Sequence, residues 1–340
     1  MRAIVYEAPR RFAIREMPTP EPDTGEIRVS VIQSGLCGTD LHLHEGRFMA
    51  SFPFTPGHEI VGRIDALGSG VTSFAEGELV TVNPNSACRA CSYCRAGRYL
   101  YCSNFTGIGS NRPGGFADYM VAPASQVFSA EGMHPDVAVF TEPTACVAHG
   151  MDALAAASGS TALVIGLGPT GTILSQFLAA SGALTVAVAD AESFKVDRAL
   201  SFGLHVGLAI DRERLDDGFA RLMEISDGEG YDIVVDATGV PAVIERCVAL
   251  VRNGGTVLVY GVADEDDRVS LSPFEIFRRE ITIKGSFAEI DGFPPAIRAL
   301  RAGRVRTEGL ITHRFGIEEY EEALETLRTD RTAHKIVVHP

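Results

Sequence analysis

The stretch Thr161-Ala-Leu-Val-Ile-Gly-Leu-Gly-Pro-Thr-Gly171 decides how this chain folds. Thr161–Ile165 is a short apolar run, consistent with a buried strand. Gly166, Gly168 and Gly171 then fit G-x-G-x-x-G, and Pro169 and Thr170 open an Ala/Leu-rich helical pattern reaching about Ser181. Alone, three spaced glycines are weak evidence. Between a strand and a helix they have a mechanism: Gly166 permits the tight turn, Gly168 lets backbone approach a pyrophosphate at the helix N-terminus, and Gly171 permits close helix–strand packing. The stretch therefore reads as a dinucleotide-binding turn.

Downstream the same alternation continues. Strands are expected at 184–189, 206–210, 231–236, 255–260 and 281–286, with a helix over 193–202 and further helices between the strands. Strands alternating with helices make a parallel, doubly wound sheet, and the fold class is α/β with the Rossmann order 3-2-1-4-5-6. Asp190 closes the second strand, 19 residues past Gly171. A carboxylate there accepts hydrogen bonds from ribose hydroxyls and repels a 2′-phosphate, which favours NAD over NADP. Lys195, further along, and Gly261, just past the strand at 255–260, join the expected nucleotide contacts.

Upstream the character differs. Residues 1 to about 140 are rich in Gly, Pro and β-branched residues. Strands are expected at 26–32, 60–67 and 78–82, separated by turn residues at 18–25 and 68–70, which describes an all-β, loop-rich module. A helix is expected over 145–154, and the terminal Lys335–His339 reads as a strand returning to the first module. The boundaries expected are 1–143 with 288–340 for the β module and 144–287 for the nucleotide domain.

Inside the β module lies Cys88-Arg-Ala-Cys-Ser-Tyr-Cys-Arg-Ala-Gly-Arg-Tyr-Leu-Tyr-Cys102, in a chain with seven cysteines. Cys88, Cys91, Cys94 and Cys102 can close a tetrahedral thiolate shell around Zn²⁺ with no open position, so this site is structural. A second set of ligand types, Cys37 and Gly57-His58-Glu59, lies upstream.

The 340 residues are long enough for two domains, and 46% hydrophobic with 22% charged residues is ordinary globular composition. A net charge of −14 repels phosphate backbones and argues against a nucleic-acid partner. No apolar run has the length of a membrane span, and Met1–Glu7 enters strand character without a signal-peptide core. A cytoplasmic protein is expected, in which clustered cysteines bind metal rather than pair as disulfides.

With these motifs together, the chain resembles the zinc-containing medium-chain alcohol dehydrogenase family over its whole length. The carriers are Gly35-Leu-Cys-Gly-Thr-Asp-Leu-His42, Gly57-His58-Glu59, the cysteine quartet, the glycine turn and Lys335-Ile-Val-Val-His-Pro340. The resemblance implies a mainly β, GroES-like catalytic domain beside the Rossmann domain. It implies two zinc ions per chain, with Cys37 and His58 on the catalytic one and Glu59 able to enter or leave its shell. Thr39 and His42 match the family's proton relay from the substrate hydroxyl. Glu142, in Thr141-Glu-Pro-Thr-Ala-Cys146, falls where the polyol and threonine dehydrogenase branches carry a glutamate that binds the zinc or its water. Members acting on simple alcohols carry a cysteine ligand, and Cys146, four residues on, is the competing candidate.

A carboxylate makes the metal site harder, which suits vicinal hydroxyls. The implied activity is NAD-linked oxidation of a secondary hydroxyl of a polyol to a ketose, with a threonine-type amino-alcohol dehydrogenase as the alternative. Phe116 and Phe287 are candidate substrate contacts. Sorbitol dehydrogenases place an Arg-Tyr pair where this chain reads Lys284-Gly-Ser-Phe-Ala-Glu289, so sorbitol itself is disfavoured. A zinc-free quinone or enoyl reductase, or a non-catalytic scaffold, would need none of Cys37, His58, Thr39, His42 and Glu142. By the same resemblance a homotetramer or homodimer is expected.

Overall fold

The computed structural model describes all residues, Met1–Pro340. The chain forms two compact units, one of Met1–Ala145 with Ala288–Ala302 and Thr307–Pro340, the other of Cys146–Phe287 with Gly303–Arg306.

In the second unit, six parallel strands stand in the order Val206–Ala209, Thr185–Asp190, Thr161–Ile165, Tyr231–Asp236, Val251–Val259, Thr282–Gly285. In order along the chain that is 3-2-1-4-5-6, the doubly wound arrangement expected from the sequence. Its central strands are buried on both faces, which is why Val164, Val188, Val234 and Leu258 carry no exposed surface and the strands read as apolar runs. Helices Pro169–Ala180, Ser193–Ser201, Leu215–Ile225 and Pro241–Leu250 provide the crossovers. The fifth strand begins at Val251, directly after the preceding helix, four residues before the expected start.

The first unit is built on a mainly antiparallel sheet in the order Ile311–Gly316, Lys335–His339, Glu26–Leu36, Glu59–Leu67, Leu79–Val82, Val127–Ser129, with Tyr119–Pro123 also pairing to Glu26–Leu36. Strand Glu26–Leu36 alternates buried and half-buried side chains before its last four residues are all buried. At that end Gly35 pairs with Glu59 on one side and Val337 on the other. The C-terminal strand thus returns to this sheet and meets the residues that follow Pro56.

Two expectations need correction. The first unit is not all β: Gly38–His44 is a helix, capped reciprocally by Cys37 and Asp40. Its Gly-Thr-Asp opening reads as loop until the cap is recognised. The helix expected at 145 begins at Thr141. Pro143 disguises its first turn, where a proline's missing N–H costs nothing.

Candidate active site and metal centres

Cys37 ends the long central strand of the first unit and caps the helix Gly38–His44. Its Sγ accepts the Thr39 N–H at 3.3 Å, and its own N–H donates to Asp40 Oδ2 at 2.9 Å. The sulfur lies 3.1 Å from His58 Nε2. Glu59 follows His58 into the next strand, and ligand atoms of Cys37, His58 and Glu59 lie within 4.8 Å of one another. Tetrahedral zinc sets a thiolate and an imidazole nitrogen about 3.5 Å apart, so this donor set fits the ion with little adjustment.

Two residues missed by the sequence reading hold the donors in place. Asp40 is buried, 1% exposed, with Oδ1 3.6 Å from His58 Nδ1. A carboxylate behind a ligating histidine fixes the ring and raises its basicity. Burial alone would depress the His58 imidazole, but Cys37, Asp40 and Glu142 hold it well above the usual histidine range. Burial pushes the Asp40 carboxyl up. Lys335 forms a close ion pair with Glu59 Oε2, both side chains 2% exposed. Burial would lower the Lys335 ammonium, yet Glu59 and Cys37 raise it. Room for the pair comes from Gly35, where an added Cβ would collide with the Glu59 carboxylate and the Lys335 chain. The signal in the sequence was a charged residue, Lys335, opening an otherwise apolar terminal strand.

Thr39 and His42 lie three residues apart on the helix Gly38–His44, hence on one face, and both are half-buried. Glu142 sits in the first turn of Thr141–Leu154, where the helix dipole favours an anion. Its carboxylate is outside the trio of Cys37, His58 and Glu59, but its charge is felt at both His58 and Lys335. Cys146, one turn on, belongs to neither donor cluster. Phe116 does not wall a cleft: its ring is 1% exposed, packed 5.2 Å from Tyr320 in an aromatic core with Tyr6 and Phe54. A buried ring has no free face for a substrate. Phe287, in the other unit, is 45% exposed.

The quartet is a second donor set in the first unit. The ligand atoms of Cys88, Cys91, Cys94 and Cys102 lie within 4.8 Å of one another, with Sγ separations of 4.0 Å for Cys88–Cys94 and 3.9 Å for Cys91–Cys102. Zn–S bonds of about 2.3 Å place tetrahedral thiolates about 3.8 Å apart, whereas a disulfide needs about 2.05 Å. All seven cysteines are free. The backbone N–H groups of Ala90 and Cys91 point at Cys88 Sγ and push that thiol down to about 6, while burial pushes Cys94 up to about 12. The cluster fits a structural zinc.

In the second unit, Gly166 has φ +97° and a Cβ there would meet Thr238 at 2.7 Å, so the turn requires glycine. Gly168 faces open space and caps the helix that begins at Pro169 and continues through Thr170 and Gly171, leaving the helix N-terminus clear for an anionic group. Asp190 is set by two backbone donors, Leu167 N to Oδ2 at 2.6 Å and Glu192 N to Oδ1 at 2.9 Å. Lys195 is half-buried on the next helix, and Gly261 packs against the backbone of Thr238 and Gly239.

Known proteins resemble the chain over its whole length. Residues 23–132 match the alcohol dehydrogenase GroES-like domain, and 169–301 match the zinc-binding dehydrogenase domain. The chain is 40% identical to D-arabinitol dehydrogenase 1 of Uromyces fabae over 341 aligned residues, covering 100% of this chain and 97% of that protein. It is 34% identical to D-altritol 5-dehydrogenase of Agrobacterium fabrum, covering 94% of each. Among solved structures, a zinc-binding dehydrogenase of Sinorhizobium meliloti 1021 bound to NADP superposes with a TM-score of 0.93 at 30% identity, over 100% of this chain and 99% of that one. No helix is long and apolar enough to cross a membrane. A nucleotide turn, two zinc-type donor sets and full-length likeness to sugar-alcohol enzymes converge: the chain is an alcohol dehydrogenase of the zinc-containing medium-chain family, in its polyol dehydrogenase-like branch.

Proposed function

We propose that the protein oxidises a secondary hydroxyl of a four- to six-carbon polyol to a ketone with NAD, using one catalytic and one structural zinc per chain. The observation that carries this reading is the Cys37–His58–Glu59 cluster, backed by Asp40 and Lys335 and within electrostatic reach of Glu142. When bound, zinc supplies a Lewis acid that lowers the pKa of the substrate hydroxyl, and NAD supplies the hydride acceptor.

The chain's own residues do the rest. Cys37 and His58 would hold the metal, and Asp40 keeps the His58 ring oriented. Lys335 pairs with Glu59, and Glu142, whose charge reaches His58 and Lys335, would supply a harder oxygen donor toward the metal. The Thr39 hydroxyl accepts the substrate hydroxyl's proton as it gives up its own, and His42, on the same helical face, takes up the relayed proton and releases it to solvent. In the second unit, Asp190 is poised to bind ribose hydroxyls and to repel a 2′-phosphate. Charged hydrogen bonds of about 1.5–3 kcal/mol each support at least a tenfold preference for NAD, and Asp190→Ala should erode it.

Free thiols throughout fit a reducing cytoplasm. The outer strand Thr282–Gly285 leaves an edge and carries exposed Ile283, and the helix before it, Pro273–Arg279, exposes Phe274 and Phe277, which favours pairing with a second copy and assembly into a dimer or tetramer.

The test is a panel of four- to six-carbon alditols and L-threonine, each with NAD and NADP. Ketose formation with NAD is expected, and faster turnover of L-threonine than of every alditol would overturn the substrate class. Glu142→Ala should nearly abolish turnover with NAD binding intact, and Cys146→Ala should be mild. The reverse pattern would move the site to a two-cysteine, simple-alcohol type.

A further inference from the structure

Asp236 is the last residue of the strand Tyr231–Asp236, fourth along the chain in the second unit, and it is fully buried. Its carboxylate takes three donors from the loop that follows. Thr238 N, at 3.1 Å, and Thr238 Oγ1, at 2.5 Å, donate to Oδ1, and Gly239 N donates to Oδ2 at 3.1 Å. None of the three is a cation, and burial raises the carboxyl. Burying a carboxylate without a counter-charge is costly. A loop that had only to turn could be capped by serine or asparagine at a smaller penalty.

This loop lies where three strand ends meet. Ala237 N donates at 2.8 Å to the carbonyl of Ile165, which ends the first strand. The Asp236 carbonyl accepts Tyr260 N and Gly261 N, just past the fifth strand, at 2.9 Å each. Glycines let the three turns touch. A Cβ on Gly166 would meet Thr238 Cγ2 at 2.7 Å, one on Gly261 would run into Gly239 N, and one on Gly239 into the Val262 carbonyl. Thr238 joins the two levels: its methyl packs on the nucleotide turn, while its hydroxyl donates to Asp236 and accepts Val240 N at 3.0 Å. A doubly wound sheet holds a dinucleotide at the carboxyl ends of its strands, one half of the sheet to each nucleotide. Asp190 closes the second strand, in the adenosine half, and the fourth strand opens the other half.

We infer that Asp236 is a positioning residue for the nicotinamide half of the cofactor. Through Thr238 it holds the turns after the fourth and fifth strands against the glycine turn, so the crevice at the strand ends is shaped before the dinucleotide arrives. A pre-formed site binds more tightly because no loop has to be ordered on association. The two buried strand-end carboxylates then have different tasks. Asp190 discriminates at the adenosine ribose, whereas Asp236 sets an affinity that NAD and NADP share. The inference rests on the dinucleotide reading above and adds a residue that acts through the loop it holds.

Calorimetric titration of the whole chain with NAD and with NADP tests it, together with AMP, the adenosine half alone, as a competitor of NAD. Far-ultraviolet circular dichroism is the control for folding. Thr238→Val keeps a methyl on Gly166 and removes the hydroxyl. It should weaken NAD and NADP by one common factor, roughly tenfold, the scale of a hydrogen bond to a charged group, and leave AMP unchanged. Thr238→Ser should bind as the wild type does. Asp236→Ala, if it folds, should show the same pattern with a larger loss. A wild type that binds neither NAD nor NADP would overturn the dinucleotide reading itself. With that reading intact, three results would overturn the role of Asp236: unchanged NAD affinity in Thr238→Val, AMP weakened as much as NAD, or no recovery with serine. A changed ratio of NAD to NADP affinity would also overturn it, and would place the loop's action at the adenosine ribose.

Discussion

The two donor clusters of the first unit are built by opposite strategies. The quartet draws its ligands from 15 consecutive residues, and backbone N–H groups of the same turn aim at its sulfurs. The other cluster takes Cys37 from one strand end, His58 and Glu59 from the next strand, and its restraint from Lys335 on a third, nearly 300 residues away. It also buries charge, with Asp40, Glu59 and Lys335 each no more than 2% exposed. A local thiolate shell stabilises a lobe. A long-range cluster of buried charges keeps a reactive site in one geometry, and it depends on the whole sheet.

The sharpest way to break this division is to damage each cluster alone. His58→Ala should lower turnover at least about 1,000-fold, since Lewis-acid stabilisation is worth several kcal/mol and each 1.36 kcal/mol is tenfold. Unfolding temperature should fall too, because the buried Asp40 loses the imidazole it faces, so turnover is compared where circular dichroism shows the variant folded. Cys94→Ser should instead remove one zinc and open residues 88–102 to limited proteolysis. Progressive chelation should abolish activity before the lobe opens. Metal loss from both clusters in a single step would erase the distinction.

Lys335→Met comes next in size. It leaves the Glu59 carboxylate buried without a counter-charge, a loss of about 3–5 kcal/mol in denaturant unfolding. Adding Glu59→Gln should recover most of it. If Lys335→Met alone is neutral, the long-range cluster is not held by buried charge as argued. Arg89→Gln, on the lobe, breaks a solvent-exposed pair with Asp291 and a stacking contact with Tyr99, and should cost no more than about 2 kcal/mol.

A further test, in pH rather than in a lost contact, concerns Glu289. Its carboxyl is fully buried, accepts the Gly292 N–H at 2.8 Å and feels both Glu142 and Asn85. Burial raises it from 4.5 to about 8. In the folded protein it stays protonated while the unfolded chain ionises, so stability falls as pH rises between about 4.5 and 8, by at most about 1.4 kcal/mol per unit. Glu289→Gln should flatten that slope, gaining stability at pH 8 relative to pH 5. An unchanged slope would mean that the carboxyl is already ionised when folded.

What could be read before the fold was known follows the same line between local and long-range. The strand–glycine–helix signature carried the sheet order, because strand and helix alternation leaves few right-handed topologies. The helix Gly38–His44 escaped notice because its cap is a cysteine rather than a serine or threonine. Phe116 was misplaced as a substrate contact because an aromatic beside glycines reads the same whether it lines a cleft or fills a core.

The sequence by itself determined the doubly wound nucleotide unit and the thiolate quartet, since each is written within a short stretch whose chemistry is local. Only the tertiary structure decided that Asp40 backs His58, that Lys335 restrains Glu59 and that Gly35 makes room for them. Those contacts join residues brought side by side by sheet register. A one-residue slip in an antiparallel pair turns every side chain to the opposite face, so the pairing of Gly35 with Glu59 and Val337 sets the charges of the candidate site.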